Sequence, residues 1–191
     1  MSVSALVFPA SLFVLALEIA LAVVAMSRRV PRRIQRALGL VILVAYIAVY
    51  LWRLVFSRVD VSWKPLLLLE PLRSYRAALS FDGGLHVADY TQLALIVVNW
   101  LLYVPLGCLL SFTWPERFCL QGVMRGLSRM LLVAFTCSLA TEITQYSLKV
   151  GYFETDDLLA NVLGACLGYL VYRFLCAAIS VLRCARDRSG V

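Results

Sequence analysis

From residue 90 to residue 115 the chain carries no charged side chain. That stretch exceeds the roughly 20 apolar residues an α-helix needs to cross about 30 Å of hydrocarbon. Four further windows qualify: residues 3–26, interrupted by Glu18; 37–56, with Arg53 near its end; 127–148, containing Glu142; and 157–182, containing Arg173. A backbone in lipid must satisfy its own hydrogen bonds, so each window is expected to be helical. Composition agrees, with 62% apolar and 15% charged residues where a soluble domain carries about 25% charged. The sequence predicts an all-α integral membrane helical bundle of about five transmembrane helices, with residues 1–191 as one transmembrane domain. A water-soluble enzyme and a disordered regulator are excluded.

The net charge of +7 is explained by where the arginines sit. Arg28, Arg29, Arg32, Arg33 and Arg36 follow the first span, Arg117, Arg125 and Arg129 follow the third, and Arg183, Arg186 and Arg188 follow the fifth. Five spans place those segments on one side, with eleven of the 18 basic residues. The other side mixes Arg58, Lys64, Arg73, Arg76 and Lys149 with seven acids, Asp60, Glu70, Asp82, Asp89, Glu154, Asp156 and Asp157. The positive-inside rule then puts the N-terminus outside and the C-terminus in the cytoplasm. The charge is read as topology and contact with the lipid bilayer, with no nucleic-acid partner.

The cysteines fit this topology. Cys108, Cys137, Cys166 and Cys176 fall within spans, while Cys119 and Cys184 fall on the arginine side. None lies in an expected outer loop, where oxidising conditions favour disulfides. There is no CxxC and His86 is the single histidine, which argues against zinc or haem. No basic n-region precedes the first span, so it is expected to be retained and not cleaved as a signal peptide. The one long connection, residues 57–89, holds four leucines between prolines. They suit either a short interfacial or re-entrant segment, with Trp63 and Tyr75 at headgroup level, or an external loop packed on the bundle.

Ionisable side chains inside spans are functional candidates because they are costly there. At 1.5 Å per residue Glu142 lies roughly 9 Å below the outer surface, Asn99 roughly 10 Å and Asn161 roughly 6 Å. Gln145 stands one turn above Glu142 on the same helix face, and Asp157 stands one turn above Asn161. Asp156 and Asp157 also occupy a helix start, where Asp is a good cap. Three helices thus carry polar groups into one layer, and Asn99, Glu142, Gln145, Asp156, Asp157 and Asn161 form the candidate ligand-binding set. Each of them could instead join helices by hydrogen bonds worth roughly 1 kcal/mol.

Other residues read as structural. Gly164 and Gly168 form a GxxxG that lets helices approach closely, within the monomer or across a dimer. Pro105, followed by Gly107, predicts a bend in the third span, because proline removes a backbone donor. Glu18 and Arg173 sit at similar distances from the inner ends of their spans, which suggests a structural ion pair.

Three blocks resemble the VanZ-like family: Asn99 to Gly107 with its Asn before Pro-x-Gly; Ser138 to Gln145 with Glu142 and Gln145 a turn apart; and Asp156 to Gly168, a DD-x-x-x-N-x-x-G-x-x-x-G run. The resemblance covers residues 40–178. The chain departs from the pattern at Leu72, where an aromatic often follows the proline, and before its acidic pair, where Lys149 stands for the usual Arg. The resemblance implies a small multipass protein of the bacterial cytoplasmic membrane, and the founding member is associated with low-level teicoplanin resistance. It points to Asn99, Glu142, Gln145, Asp156, Asp157 and Asn161, the set that depth selects.

Two functions follow as expectations. An acidic, hydrogen-bonding site open to the outer leaflet could hold a lipid headgroup, a cell-wall precursor or a lipoglycopeptide, with no cofactor and no turnover. Alternatively, the paired carboxylates could hold a divalent cation against a lipid-linked phosphate, or act as general acid and base in a membrane enzyme. A transporter is disfavoured because the polar groups stop in the outer half. Sequence leaves the oligomeric state open.

Overall fold

The computed structural model describes residues 3–27, 30–56, 67–79, 87–149 and 153–189. They form α1 (Val3–Met26), α2 (Arg32–Phe56), β1 (Leu67–Leu68), α3 (Arg73–Leu79), α4 (Val87–Thr113), α5 (Pro115–Phe118), α6 (Val123–Ser147), β2 (Phe153–Glu154) and α7 (Thr155–Ser189). Trp63 and His86 lie outside the described residues. Among those described, four helices are long and apolar enough to cross a membrane, the spans being Arg32–Trp52, Ile96–Thr113, Val123–Ser147 and Thr155–Ala185. The expected fifth span is α1, a 24-residue helix whose described side chains form the apolar stretch Leu12–Met26.

The uncharged helix α4 is the centre of the bundle. Of its span 67% is buried inside the protein, against 17% for α2, whose exposed Val41, Val44, Val49 and Trp52 suit lipid. Helix α7 packs most extensively on α4, and α1, α2 and α3 also lie against it. Small residues set the α4–α7 distance. A Cβ on Gly164 would stand 2.3 Å from the Trp100 carbonyl oxygen, one on Gly168 2.0 Å from that of Val104, and one on Gly107 1.9 Å from that of Ala165. The GxxxG is therefore filled within the monomer, backbone against backbone.

Helix α4 continues through Pro105 as one element. The proline leaves the Leu101 carbonyl without its usual donor. Nearby backbone is supported by side chains: the Tyr46 hydroxyl donates to the Leu102 carbonyl, and Ser111 Oγ to that of Gly107 at 2.7 Å.

One end of the bundle is held together by arginines. Arg183 donates to the Met26 carbonyl at the end of α1, Arg32 to that of Phe112 at the end of α4 at 3.4 Å, and Arg36 pairs with Glu116 of α5. Arg129 donates to the Arg117 carbonyl at 2.6 Å. The last carbonyls of a helix lack intrahelical partners and carry partial negative charge, which guanidinium groups satisfy.

The expected Glu18–Arg173 pair does not form. Arg173 donates to the Cys119 carbonyl at 2.9 Å and to the Tyr169 hydroxyl at 3.2 Å, with its guanidinium 5.8 Å from the Tyr169 ring centre. Glu18 is 2% exposed, and its Oε1 has no partner. The reason is helix length. At 1.5 Å per residue Arg173 lies roughly 27 Å along α7 from Thr155, close to the far edge of the hydrocarbon. It reaches the α5–α6 connection there, because α7 runs on past the membrane thickness.

Candidate intramembrane polar site

The opposite end is closed by a small parallel sheet. β1 pairs with β2, Leu67 opposite Phe153 and Leu68 opposite Glu154, and Thr155 Oγ1 donates to the Leu68 carbonyl at 3.4 Å. The leucine segment considered as re-entrant thus includes a strand, and Leu67 and Leu69 are exposed.

Asp156, in the first turn of α7, holds this connection to the bundle. Its Oδ1 accepts from the Leu72 N–H and its Oδ2 from the Ser74 N–H, both at 2.6 Å. Those N–H groups belong to the start of α3, so Asp156 caps a helix other than its own. Leu72 has φ 62°, a left-handed conformation costly for a side chain with a Cβ. The carboxylate sustains that turn.

Asp157, its neighbour, faces α4. Its Oδ1 accepts from Asn99 Nδ2 at 2.6 Å. One residue on, Trp100 Nε1 donates to the Tyr75 hydroxyl of α3 at 3.3 Å. Burial pushes the Tyr75 phenol above its ordinary range, opposed by the Trp100 bond and reinforced by the Asp156 and Asp157 charges. One turn further along α7, Asn161 Nδ2 donates to Ser138 Oγ of α6 at 3.0 Å.

Helix α6 presents a polar stripe to this layer. Ser138, Thr141, Glu142 and Gln145 are all buried, at the three- and four-residue spacing of one helix face. Glu142 is 1% exposed, and its Oε2 accepts from the Glu154 N–H of β2 at 3.1 Å. Gln145 is 5% exposed, and its amide has no hydrogen bond among the described residues. Beside Glu142, Thr141 meets two phenols. Tyr103 lies 3.2 Å from Thr141 Oγ1 and 3.3 Å from the Tyr50 hydroxyl, and Tyr50 donates to Thr141 at 3.4 Å.

The structure therefore brings all six candidate residues to one end of the bundle, in unequal roles. Asp156 is engaged by two backbone donors, and the Asn99–Asp157 and Asn161–Ser138 bonds tie α7 to α4 and α6. The partners named here for the carboxylates are neutral N–H groups. Among the described residues no group of three or more His, Cys, Asp or Glu is arranged to hold a metal ion. Sequence reasoning missed Ser138, Thr141, Tyr50, Tyr103, Tyr75 and Trp100. For Ser138 and Thr141 a signal was present, because they share the helical spacing of Glu142 and Gln145. Tyr50 and Tyr103 sit among apolar residues and carry no such mark, while Tyr75 was marked only as a headgroup-level aromatic.

Apolar spanning helices packed around a buried polar layer define a multipass membrane protein. Residues 37–176 match the family described as VanZ/LLP1, and the chain belongs to that family of bacterial membrane proteins. No curated protein and no solved structure matches it.

Proposed function

We propose that the polar layer is a binding site in the outer leaflet for a cell-envelope lipid, cell-wall precursor or lipoglycopeptide, through which the protein contributes to teicoplanin resistance. The arginine-bearing end faces the cytoplasm under this reading, as the positive-inside rule requires. The polar layer, at the other end, then meets the outer leaflet, where such molecules carry their headgroups.

The observation that carries the proposal is Gln145. An amide that is 5% exposed and bonded to no protein group costs about 1–3 kcal/mol unless solvent or a ligand group reaches it. Here it stands one turn from the buried Glu142 carboxylate, on the helix face whose Ser138 and Thr141 bond across the bundle. A ligand hydroxyl, amine or amide would complete it. The bonded residues Asn99, Asp156, Asp157 and Asn161 give the site its shape, and Gln145 with Glu142 gives it contact.

Binding is tested on the purified full chain in detergent, by titrating teicoplanin, vancomycin and a lipid-linked cell-wall precursor separately against wild type and Gln145→Ala. Saturable binding of one of them, weakened about tenfold or more by loss of a buried hydrogen-bonding partner, supports the reading. Equal affinity in both proteins removes Gln145 from the site. Magnesium-dependent phosphate release from a lipid-linked phosphate would replace binding by catalysis.

A further inference from the structure

The end of the bundle opposite the polar layer carries a second surface of defined chemistry. Its anchored arginines, Arg32, Arg129, Arg173 and Arg183, donate to backbone carbonyls of four different segments. Three others are unengaged: the guanidinium groups of Arg33, Arg117 and Arg125 have no partner among the described residues and are exposed. The described carboxylates at this end are Glu116, paired with Arg36, and Asp187. No lysine occurs in any of the three arginine segments, since both lysines of the chain, Lys64 and Lys149, lie elsewhere.

The apolar side chains around these arginines decide what they meet. Leu120 is 77% and Met124 73% exposed, on the α5–α6 elbow that also carries Arg117 and Arg125. Leucine and methionine beside unpaired arginines, at the end of spanning helices, match the boundary between acyl chains and headgroups. The guanidinium fork pairs bidentately with phosphate where an ammonium would act as a point charge.

We infer that this face binds the phosphate of anionic phospholipids, with Arg33, Arg117 and Arg125 as headgroup ligands and Leu120 and Met124 seated among the acyl chains. The site is distinct from the polar layer and stands whether or not that layer takes a ligand. It anchors the arginine end to the charged leaflet and fixes the elbow at headgroup depth.

The test is lipid retention by the full-length protein, purified in neutral detergent, exposed to an equimolar mixture of phosphatidylglycerol and phosphatidylcholine, and read by native mass spectrometry. Wild type is expected to retain phosphatidylglycerol in preference, by about a hundredfold if each of the three arginines contributes as basic residues at anionic membranes do. The R33Q/R117Q/R125Q variant is expected to lose that preference while its thermal unfolding in detergent is unchanged. Inorganic phosphate in excess is expected not to displace the lipid, because it lacks the acyl chains that Leu120 and Met124 meet. Equal retention of the two lipids by wild type, an undiminished preference in the variant, or displacement by inorganic phosphate would overturn the inference. If the glutamine variant fails to fold, R33K/R117K/R125K keeps the charge and removes the fork. A reduced preference there supports the guanidinium contact, and an unchanged one overturns it.

Discussion

Asp156 and Asp157 are adjacent in sequence and different in function. Asp156 satisfies two backbone donors at the start of α3, whereas Asp157 bonds one side-chain amide on α4. Asp156→Ala removes two charge-assisted hydrogen bonds and leaves Leu72 in its left-handed turn. It is expected to destabilise the protein by about 3 kcal/mol, read as thermal unfolding in detergent, with Asp156→Asn less severe. No loss in either variant would mean that the α3 connection contributes nothing to stability.

The sequence marked both aspartates as candidates but could not separate them, because the partner of Asp156 comes from a segment more than eighty residues earlier. For Glu18 and Arg173 matched depth suggested a pair, yet depth counted from an assumed helix end failed once α7 ran past the membrane. Their energies are therefore expected to be independent. Arg173→Gln should cost about 2 kcal/mol through the orphaned Cys119 carbonyl. Glu18→Gln should be close to neutral, since it exchanges one neutral polar group for another of similar size at a buried position where Oε1 has no partner. The double variant should equal the sum within about 0.5 kcal/mol. A larger coupling in a double-mutant cycle would restore the pair.

Cys119 gives a residue-scale test in solution chemistry. Burial pushes its thiol up to about 11, against the lowering influence of Arg173 and Arg32. The reactive thiolate is scarce below that pH. Alkylation at pH 8 should therefore be much slower at Cys119 than at the exposed Cys184, and should accelerate as pH rises towards 11. Equal rates at pH 8, resolved by peptide mass spectrometry, would contradict the buried setting.

At the scale of elements, the α4–α7 contact decides the architecture. Gly107, Gly164 and Gly168 each face a backbone carbonyl where a Cβ would stand 2.3 Å away or less. These contacts cannot yield by rotating a side chain. Gly168→Leu is thus expected to separate the helices and lower stability by at least about 3 kcal/mol, beyond the usual range for overpacked cores. It should also disturb the polar layer, because Asp157 and Asn161 ride on the same helix. Preserved stability, measured by thermal unfolding, would mean that the helices do not approach as closely as described.

The motif was readable in sequence as a packing device, but its partner was not. Small residues announce a close approach without naming the surface approached, and Trp100 and Val104 present only their backbone. The strands β1 and β2 were invisible for a related reason. Two residues each are too short for any periodicity, and they exist because the connections before α3 and α7 lie side by side.

At the scale of the whole molecule, hydropathy set the fold class and polarity set the site. A chain that is mostly apolar can place Glu142, Gln145, Asn99, Asp157 and Asn161 indoors only at a cost that lipid does not relieve. They gather at one end, while Arg32, Arg36, Arg129, Arg173 and Arg183 gather at the other. The layer was legible because isolated polar residues stand out against hydrocarbon. Which partners each of these residues finds was not, since that depends on which donors the loops deliver.

The most direct test of the account is teicoplanin susceptibility in a sensitive Gram-positive host expressing wild type or Gln145→Ala at matched membrane levels, with vancomycin in parallel. The account predicts protection against teicoplanin by wild type and its loss in Gln145→Ala, whose folding the bonded residues still support. Equal protection by both proteins, or none by well-expressed wild type, would contradict it.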